Sequence, residues 1–172
     1  TGSMDWLPNS EAVLYFVREI LPLIWAKNDR VKFYVVGKNP NKEIVSLAKT
    51  DERIIVTGLV PDVRPYMANA KLFVVPIQVG GGTRLKILEA MSMGVPVVST
   101  TVGAEGIGYT NGKNIVLADN PAEFSNKTLR LLENDFESNN IGIAGRKLVL
   151  EKYDWKSISH KLLNVYSGII NA

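Results

Sequence analysis

Short apolar runs alternate along the chain with longer segments whose apolar residues recur at helical spacing. Uninterrupted apolar runs bounded by turn residues are typical of strands that are buried on both faces. The predicted strands are Val31–Val36, Arg53–Val56, Lys71–Val75, Val95–Ser99 and Asn114–Leu117. The predicted helices are Pro8–Lys27, Asn41–Lys49, Val63–Asn69, Thr83–Met93, Pro121–Asn134, Ile141–Lys152 and Trp155–Ile170. This alternation predicts an α/β fold in which right-handed crossover helices on both faces join parallel strands.

Composition and charge fit one soluble domain. A chain of 172 residues with 46% hydrophobic content can bury one sizeable core and is too short for two full domains. No apolar run approaches the length of a membrane span and no signal-peptide pattern appears, so we expect a cytoplasmic protein. The net charge of +3 comes from scattered Lys and Arg, and without a basic patch we expect no nucleic-acid partner.

The sequence contains few residues suited to thiol or metal chemistry. The chain has no cysteine, which removes disulfides, thiol catalysis and thiolate metal sites. Its one histidine, His160, lies among apolar residues of the last predicted helix. There we expect a packed or surface side chain rather than a catalytic one.

The stretch from Gly80 to Thr100, GGGTRLKILEAMSMGVPVVST, carries the clearest chemical signal. The three glycines Gly80, Gly81 and Gly82 offer no side chain for packing and cost backbone entropy, so they indicate a sharp turn or a close approach to a ligand. The helix predicted after them begins at Thr83, whose hydroxyl is placed to cap it. A bare loop that leads into a helix N-terminus is suited to bind a phosphate.

Arg84 and Lys86 lie in the first turn of this predicted helix. A helix N-terminus is already positive, so cations there are unfavourable by roughly 0.3–1 kcal/mol each. An anion bound between them reverses the sign of that interaction. Together with the glycine loop, the two side chains predict a phosphate or pyrophosphate site.

Glu89 is the one carboxylate on the same helix. Because the helix is apolar nearly all round, we expect Glu89 to be mostly buried and to need a partner. One interpretation is an i,i+3 ion pair with Lys86. The other is that its two oxygens accept hydrogen bonds from a diol such as a nucleotide ribose. A nucleotide joins ribose to phosphate, so one ligand would then satisfy both ends of the helix.

These motifs resemble those of a known family of enzymes. GSMDWLPN, VTGLVPDVRPYMANAKLFVVPI and the glycine stretch followed by GAEGI resemble the C-terminal half of retaining GT-B glycosyltransferases of the family 4 type. The resemblance implies a doubly wound, parallel, six-stranded Rossmann-like sheet, with residues 1–172 as a single donor-binding domain. It also implies a strand before the turn at Ser3–Asn9, for which the chain has no room. We therefore expect a fragment that lacks an N-terminal acceptor-binding domain.

The resemblance assigns roles to residues of the glycine stretch. Glu89 matches the second of two family glutamates eight positions apart and is implied to hold the ribose hydroxyls. Gly81 stands where the first glutamate is expected, so the backbone N–H groups of Gly81, Gly82 and Thr83 are expected to contact the donor sugar instead. Glu105 in the GAEG turn is a candidate replacement for the missing acid.

Two further loops are implied to face the nucleotide. The nucleobase is expected to dock on the TGLVP loop, at Gly58 and Val60; an ordinary turn with Gly58 at positive φ is the alternative. In the family an Arg and a Lys near the first turn bind the pyrophosphate. Asp5, Trp6 and Asn9 stand there in this chain, so that role is left to the basic pair of the glycine stretch.

The implied function is transfer of a sugar from a nucleoside-diphosphate sugar to a polysaccharide or lipid-linked acceptor. Arg84 and Lys86 are then expected to stabilise the charge on the leaving phosphate. The resemblance implies front-face attack without a metal or cofactor, in agreement with the absence of an Asp-x-Asp pair. The missing half would supply the acceptor site and any peripheral contact with the inner face of the cell membrane. Two alternatives stay open: a non-catalytic nucleotide-sugar binding module and a GT-B sugar-nucleotide epimerase.

Overall fold

The computed structural model describes the backbone of residues 1–170. The side chains at positions 157, 160, 161, 165, 168 and 170 are outside the described part of the chain. The prediction for His160 therefore lies outside the described residues.

Residues 1–170 form alternating strands and helices in the predicted order. The strands are β1 Phe33–Val36, β2 Ile54–Gly58, β3 Phe73–Val75, β4 Val97–Ser99 and β5 Val116–Leu117. The helices are α1 Leu7–Tyr15, α2 Leu21–Trp25, α3 Lys42–Thr50, α4 Arg64–Ala68, α5 Leu85–Ser92, α6 Pro121–Glu133, α7 Asp135–Lys152 and α8 Trp155–Ile170. The chain is thus an α/β protein, as predicted.

All strand pairings among the named strands are parallel, but the strands form two hydrogen-bonded sets. One set is β1–β2 and the other is β3–β4–β5, with β4 in the middle. The predicted number of six strands is therefore corrected to five for residues 1–170. The difference arises between β1 and β3, where no described strand of this chain lies.

The helices cover both faces of the strands. Phe73 and Val75 of β3 pack into a cluster with side chains of α5 and α7, while Val74 between them packs into a second cluster with α2 and α6. In β4, Val97 and Val98 separate in the same way. Because successive side chains of a strand point to opposite faces, this division confirms a doubly wound arrangement.

The first predicted helix, Pro8–Lys27, is not one regular helix. It begins at Leu7, passes through a π-helical turn at Phe16–Ile20 and ends at Trp25. Pro22 explains the irregularity, because proline has no N–H to continue the i→i−4 ladder of an α-helix. The π-turn keeps Phe16 and Ile20 buried against the sheet.

The N-terminal residues run alongside the carboxyl end of β1. The Gly2 N–H donates to the Val36 carbonyl oxygen at 3.0 Å, and the Met4 N–H donates to the Lys38 carbonyl oxygen at 2.9 Å. The backbones approach so closely that a Cβ at Gly37 would overlap the Gly2 carbonyl. The N-terminal turn is thereby held at the edge of the sheet where strands end and loops begin.

Candidate functional site

The predicted site residues after β3 and β4 lie on two adjacent loops at the carboxyl edge of the sheet. A cavity of about 710 Å³ opens between these loops, and both Gly80 and Glu105 line it. The loops also pack directly on each other: a Cβ at Gly106 would overlap the Thr83 side chain. In open α/β sheets, ligands bind at this edge.

The glycine loop needs glycine for conformational reasons. Gly80 has φ +125° and Gly82 has φ +86°, values that residues with a side chain rarely adopt. The predicted capping role of Thr83 is wrong, because α5 begins at Leu85 and the cap position is Arg84, which makes no side-chain capping hydrogen bond. The first N–H groups of α5 therefore have no side-chain cap.

Arg84 places its guanidinium under this loop. Nη1 donates to the Gly81 carbonyl oxygen at 2.9 Å. The other nitrogens, Nε and Nη2, are buried and have no hydrogen-bond partner among the described residues. Nη2 lies 2.7 Å from where a Gly80 Cβ would be, with Pro8 next to it. A buried cation with unsatisfied N–H groups is costly, and an anion that reaches it when the loop shifts would remove that cost.

Lys86 connects α5 to the N-terminal turn. Its Nζ donates to the Thr1 carbonyl oxygen and to Asn9 Oδ1, each at 2.7 Å. Burial, with the positive charge of Arg84 as the next contribution, lowers the pKa of Lys86 to about 8, and Glu89 acts in the opposite direction. An ammonium has three donors, so one remains for a ligand.

The lowered pKa of Lys86 predicts a pH-dependent affinity for anions. Below about pH 8, Lys86 is protonated both in the free and in the ligand-bound protein, so the affinity for an anion does not change with pH in this range. Above pH 8 the free protein loses this proton, while a bound diphosphate favours the protonated form. We expect the affinity of the full-length protein for UDP to fall by up to about tenfold per pH unit above pH 8, measured by calorimetry between pH 7 and 9.5.

Lys86→Met provides the control for this pH dependence. The variant should bind UDP more weakly at pH 7.5 and should show a level affinity over the same pH range. A wild-type protein whose affinity does not change between pH 8 and 9.5 would show that Lys86 does not face the ligand.

Glu89 is exposed, so the prediction that it is mostly buried is wrong. The buried residues of α5 are Ile87, Ala90 and Met91, whereas Leu85 is 68% exposed. One apolar residue of α5, Leu85, therefore faces away from the core. The apolar composition of the helix thus does not mean that every side of it is buried. No ion pair joins Glu89 to Lys86 among the described contacts, and its carboxylate is open to solvent or ligand.

The Glu105 carboxylate lies next to the place where a side chain at position 81, the site expected for the first family glutamate, would start. Its Oε2 is 3.7 Å from the position that a Cβ at Gly81 would occupy. The structure thus brings these two positions together although they are on different loops. A carboxylate stands at this point of the cavity even though position 81 carries no side chain.

Gly58 and Val60 lie apart from these loops, at the end of β2 and just after it. Gly58 ends the strand with φ +68°, and Leu59 is 78% exposed. The β1–β2 pairing places this loop at the carboxyl edge, beside the end of β1. It does not line the cavity between the β3 and β4 loops.

Several residues that hold the site gave no signal in the sequence. The Thr100 hydroxyl accepts from the Gly103 N–H at 2.9 Å and donates to the Ile77 carbonyl, which ties the two loops together. Tyr153 Oη accepts from the Gly108 N–H at 2.7 Å. Tyr153 is 45 positions from its partner, so no local pattern links the two.

Two structural features bear on the classes of function expected from the sequence. The described residues contain no group of three or more metal-ligating side chains placed to hold a metal ion. Among the same residues, none of the helices has the length and apolar character needed to cross a bilayer.

A family model described as "Glycosyl transferases group 1" matches residues 1–134, which is most of the chain. The chain belongs to the glycosyl transferases group 1 family. The fold agrees with this membership, because the chain's parallel α/β arrangement is similar to the Rossmann-like domains of GT-B glycosyltransferases. This confirms the resemblance at the level of the group 1 family and the GT-B fold.

Two curated relatives are named as N-acetylglucosaminyltransferases. The chain is 27% identical over 80% of its length to 2-deoxystreptamine N-acetyl-D-glucosaminyltransferase from Niallia circulans, covering 37% of that protein. It is 26% identical over 87% of its length to poly(ribitol-phosphate) α-N-acetylglucosaminyltransferase from Staphylococcus aureus, covering 32% of it. The chain thus spans about a third of the length of these relatives.

A solved structure shows the same fold. A mutant of TarM from S. aureus, in complex with fondaparinux, α-GlcNAc-glycerol and UDP, superposes with a TM-score of 0.78 at 25% identity. The match covers 92% of this chain and 33% of TarM. Fold similarity therefore extends over nearly all of the chain.

Proposed function

We propose that this chain is the donor-binding part of a retaining glycosyltransferase of the family 4 type that uses a nucleoside-diphosphate sugar. The observation that carries the proposal is the guanidinium of Arg84 beside the glycine loop, two of whose nitrogens, Nε and Nη2, are buried without a hydrogen-bond partner. A diphosphate at this loop supplies the acceptors and the negative charge that the guanidinium lacks. The UDP in the similar TarM complex makes UDP the first nucleotide to test.

In the proposed reaction, the bond between the sugar and the β-phosphate breaks and the electron pair leaves with the phosphate. Arg84, the Lys86 ammonium and the N-terminus of α5 stabilise the charge that develops on the leaving group. The exposed Glu89 carboxylate accepts hydrogen bonds from the ribose hydroxyls. The acceptor hydroxyl is bound by the remainder of the full-length protein and attacks the face from which the nucleotide departs, and its proton passes to the departing phosphate oxygen. The proposed reaction uses neither a metal ion nor a cofactor.

The proposal is tested by measuring UDP release when the full-length protein is incubated with UDP-sugars, with and without polysaccharide or lipid-linked acceptors. Turnover that depends on an acceptor supports a transferase. Tight binding of UDP-sugars without transfer or hydrolysis by the intact protein would favour the non-catalytic binding module instead.

Glu105 is proposed to contact the donor sugar in place of the family glutamate at position 81. Removing a charged hydrogen-bond partner costs about 1.5–3 kcal/mol, or roughly 10–100-fold. We therefore expect Glu105→Ala to weaken binding of the UDP-sugar by about that factor and to leave binding of UDP almost unchanged. Calorimetric titration with each ligand separates the two effects.

A second substitution makes this prediction specific. Gly81 does not have a positive φ, and there is room for a side chain on the side that faces Glu105. Gly81→Glu in the Glu105→Ala background should therefore restore part of the affinity for the UDP-sugar. Glu133→Gln on the exposed end of α6 is the matched control and should change neither affinity. Equal losses for UDP and UDP-sugar, without rescue, would contradict a role in sugar recognition.

A further inference from the structure

The turn that leads into α1 carries a largely exposed tryptophan. Trp6 is 59% exposed, and Leu7, the first residue of α1, is 67% exposed. A tryptophan in this position does not gain the free energy that burial of its ring would provide. The ring gains that free energy when a ligand with a flat, partly apolar face covers it.

Asp5, directly before this tryptophan, is held in place by contacts from two loops. Its carboxylate accepts hydrogen bonds from the Ser3 hydroxyl and, at 2.9 Å, from the side-chain amide of Asn39 in the loop after β1. These two hydrogen bonds lower the pKa of Asp5, so its carboxyl group is ionised at neutral pH. A carboxylate has about four lone-pair sites, so Asp5 can also accept hydrogen bonds from a ligand.

Asn39 makes its contact with Asp5 from an uncommon backbone conformation. Its φ is 56°, and among the described residues no other residue except glycine has a positive φ. This conformation costs free energy for a residue with a side chain, and such residues are concentrated at functional sites. Asp5 is therefore part of an ordered group and is not a freely rotating surface carboxylate.

The turn that carries Asp5 and Trp6 adjoins the glycine loop. The ring of Pro8 lies 3.5 Å from where a Cβ at Gly80 would be, and Asn9 accepts from Lys86 Nζ at 2.7 Å. The turn meets the glycine loop from the side of β1, to which the first residues of the chain are hydrogen-bonded. Glu105 meets the same loop from the side of β4. Two carboxylates therefore flank the proposed diphosphate site.

The charge of Asp5 restricts the ligands that can cover Trp6. The carboxylate disfavours an anionic ligand such as a phosphate or an acidic lipid headgroup. A sugar ring suits both side chains, because the C–H groups on one face of the ring can stack on the indole and its hydroxyl groups can donate to the carboxylate. A neutral sugar is therefore the ligand that best fits Asp5 and Trp6.

We propose that Asp5 and Trp6 bind a neutral sugar ring of the acceptor, an assignment that rests on the proposed function. In that reaction the acceptor hydroxyl attacks the face from which the nucleotide departs. With the donor sugar at Glu105, on the β4 side, and the nucleobase at the loop after β2, the nucleotide departs on the side of β1 and β2. The turn with Asp5 and Trp6 lies on that side. This chain thus holds the acceptor together with the remainder of the full-length protein.

Binding of simple sugars to the full-length protein in the presence of UDP tests this inference. The probes are the methyl glycosides of glucose, galactose, mannose and N-acetylglucosamine, observed by saturation-transfer NMR. We expect at least one to bind through its ring C–H groups, and Trp6→Ala to weaken that binding about tenfold. Asp5→Ala should weaken it by roughly the same factor, and Trp6→Phe should retain part of the affinity. Phe136→Ala, at an exposed aromatic residue of α7, is the matched control and should change nothing.

The affinity for UDP, measured by calorimetry, separates this inference from the proposed function. Trp6→Ala should leave that affinity unchanged, and a weaker affinity would show that the indole contacts the nucleotide and overturn the inference. The inference is also overturned if none of the glycosides binds, or if Trp6→Ala binds them as well as the wild type. A less stable Trp6→Ala variant would show that the rest of the protein covers the indole, with the same consequence. Failure of UDP to bind, with Trp6-dependent binding of a glycoside, would contradict the proposed function and leave the sugar site in place.

Turnover tests the assignment of this sugar to the acceptor. The glycoside that binds most tightly should accelerate UDP release from the UDP-sugar. Trp6→Ala should raise the KM for this glycoside about tenfold and leave the KM for the UDP-sugar unchanged. Binding of the glycoside without acceleration, by a protein that transfers sugar to a polysaccharide or lipid-linked acceptor, would overturn the assignment.

Discussion

Replacing Arg84 by alanine in the full-length protein is expected to lower kcat/KM for the sugar nucleotide by about 10²–10³. Loss of one preorganised donor to a developing negative charge typically costs about 2.7–4 kcal/mol of transition-state stabilisation. The guanidinium is well placed for this role because two of its nitrogens have no protein partner among the described residues. Steady-state kinetics with saturating acceptor measures the effect.

Stability distinguishes this role from a structural one. A guanidinium that only holds the loop would lower the free energy of unfolding when removed. Arg84→Ala instead deletes a partly buried cation with two buried, unpaired nitrogens, so we expect unchanged or slightly increased stability in the absence of nucleotide. Arg146→Ala, at an exposed arginine of α7, removes the same charge from outside the glycine loop and should leave kcat/KM unchanged. A stability loss equal to the activity loss would argue against the proposed role.

Replacing Gly142 by alanine is expected to destabilise the chain by about 3 kcal/mol. Gly142 is buried where α7 crosses the turn between α5 and β4, and an added Cβ would overlap the Gly94 carbonyl and come within 3.5 Å of Pro96 Cδ. Overpacking against backbone typically costs about 1–3 kcal/mol or somewhat more, since backbone cannot rotate away as a side chain can. Denaturant unfolding of the full-length protein reports the change.

Gly108→Ala is the matched control for this substitution. It makes the same chemical change, but its Cβ would meet only the ends of two side chains, Tyr153 Oη at 3.6 Å and Lys152 Nζ at 3.7 Å. Its effect should stay within about 0.5 kcal/mol. Similar unfolding midpoints for the two variants would mean that α7 is not packed on Gly94 as described.

The order of strands and helices could be predicted because burial on both faces leaves a direct mark on the sequence. The apolar run that contains Val97 and Val98 is an example, since one side chain enters each core. The end of the first helix was less predictable. Pro22 marks an irregularity, but the sequence does not show that the chain continues through it as a π-turn.

The site was predicted in part. The glycine loop and the basic residues at the start of α5 could be recognised because their types are unfavourable without a ligand. The exposure of Glu89 could not, because the periodicity of α5 does not reveal that Leu85 faces away from the core. The partners of Lys86 are 77 and 85 positions away, and the meeting of Gly81 with Glu105 depends on how two loops fold together.

The central claim is that a nucleoside diphosphate binds where the glycine loop enters α5. A crystal structure of the full-length protein with UDP tests it most directly. The account predicts phosphate oxygens within hydrogen-bond distance of the Arg84 guanidinium, with the loop moved off its two unsatisfied nitrogens, and ribose oxygens on Glu89. A diphosphate bound elsewhere, with Arg84 still covered by Gly80 and Pro8, would contradict the account.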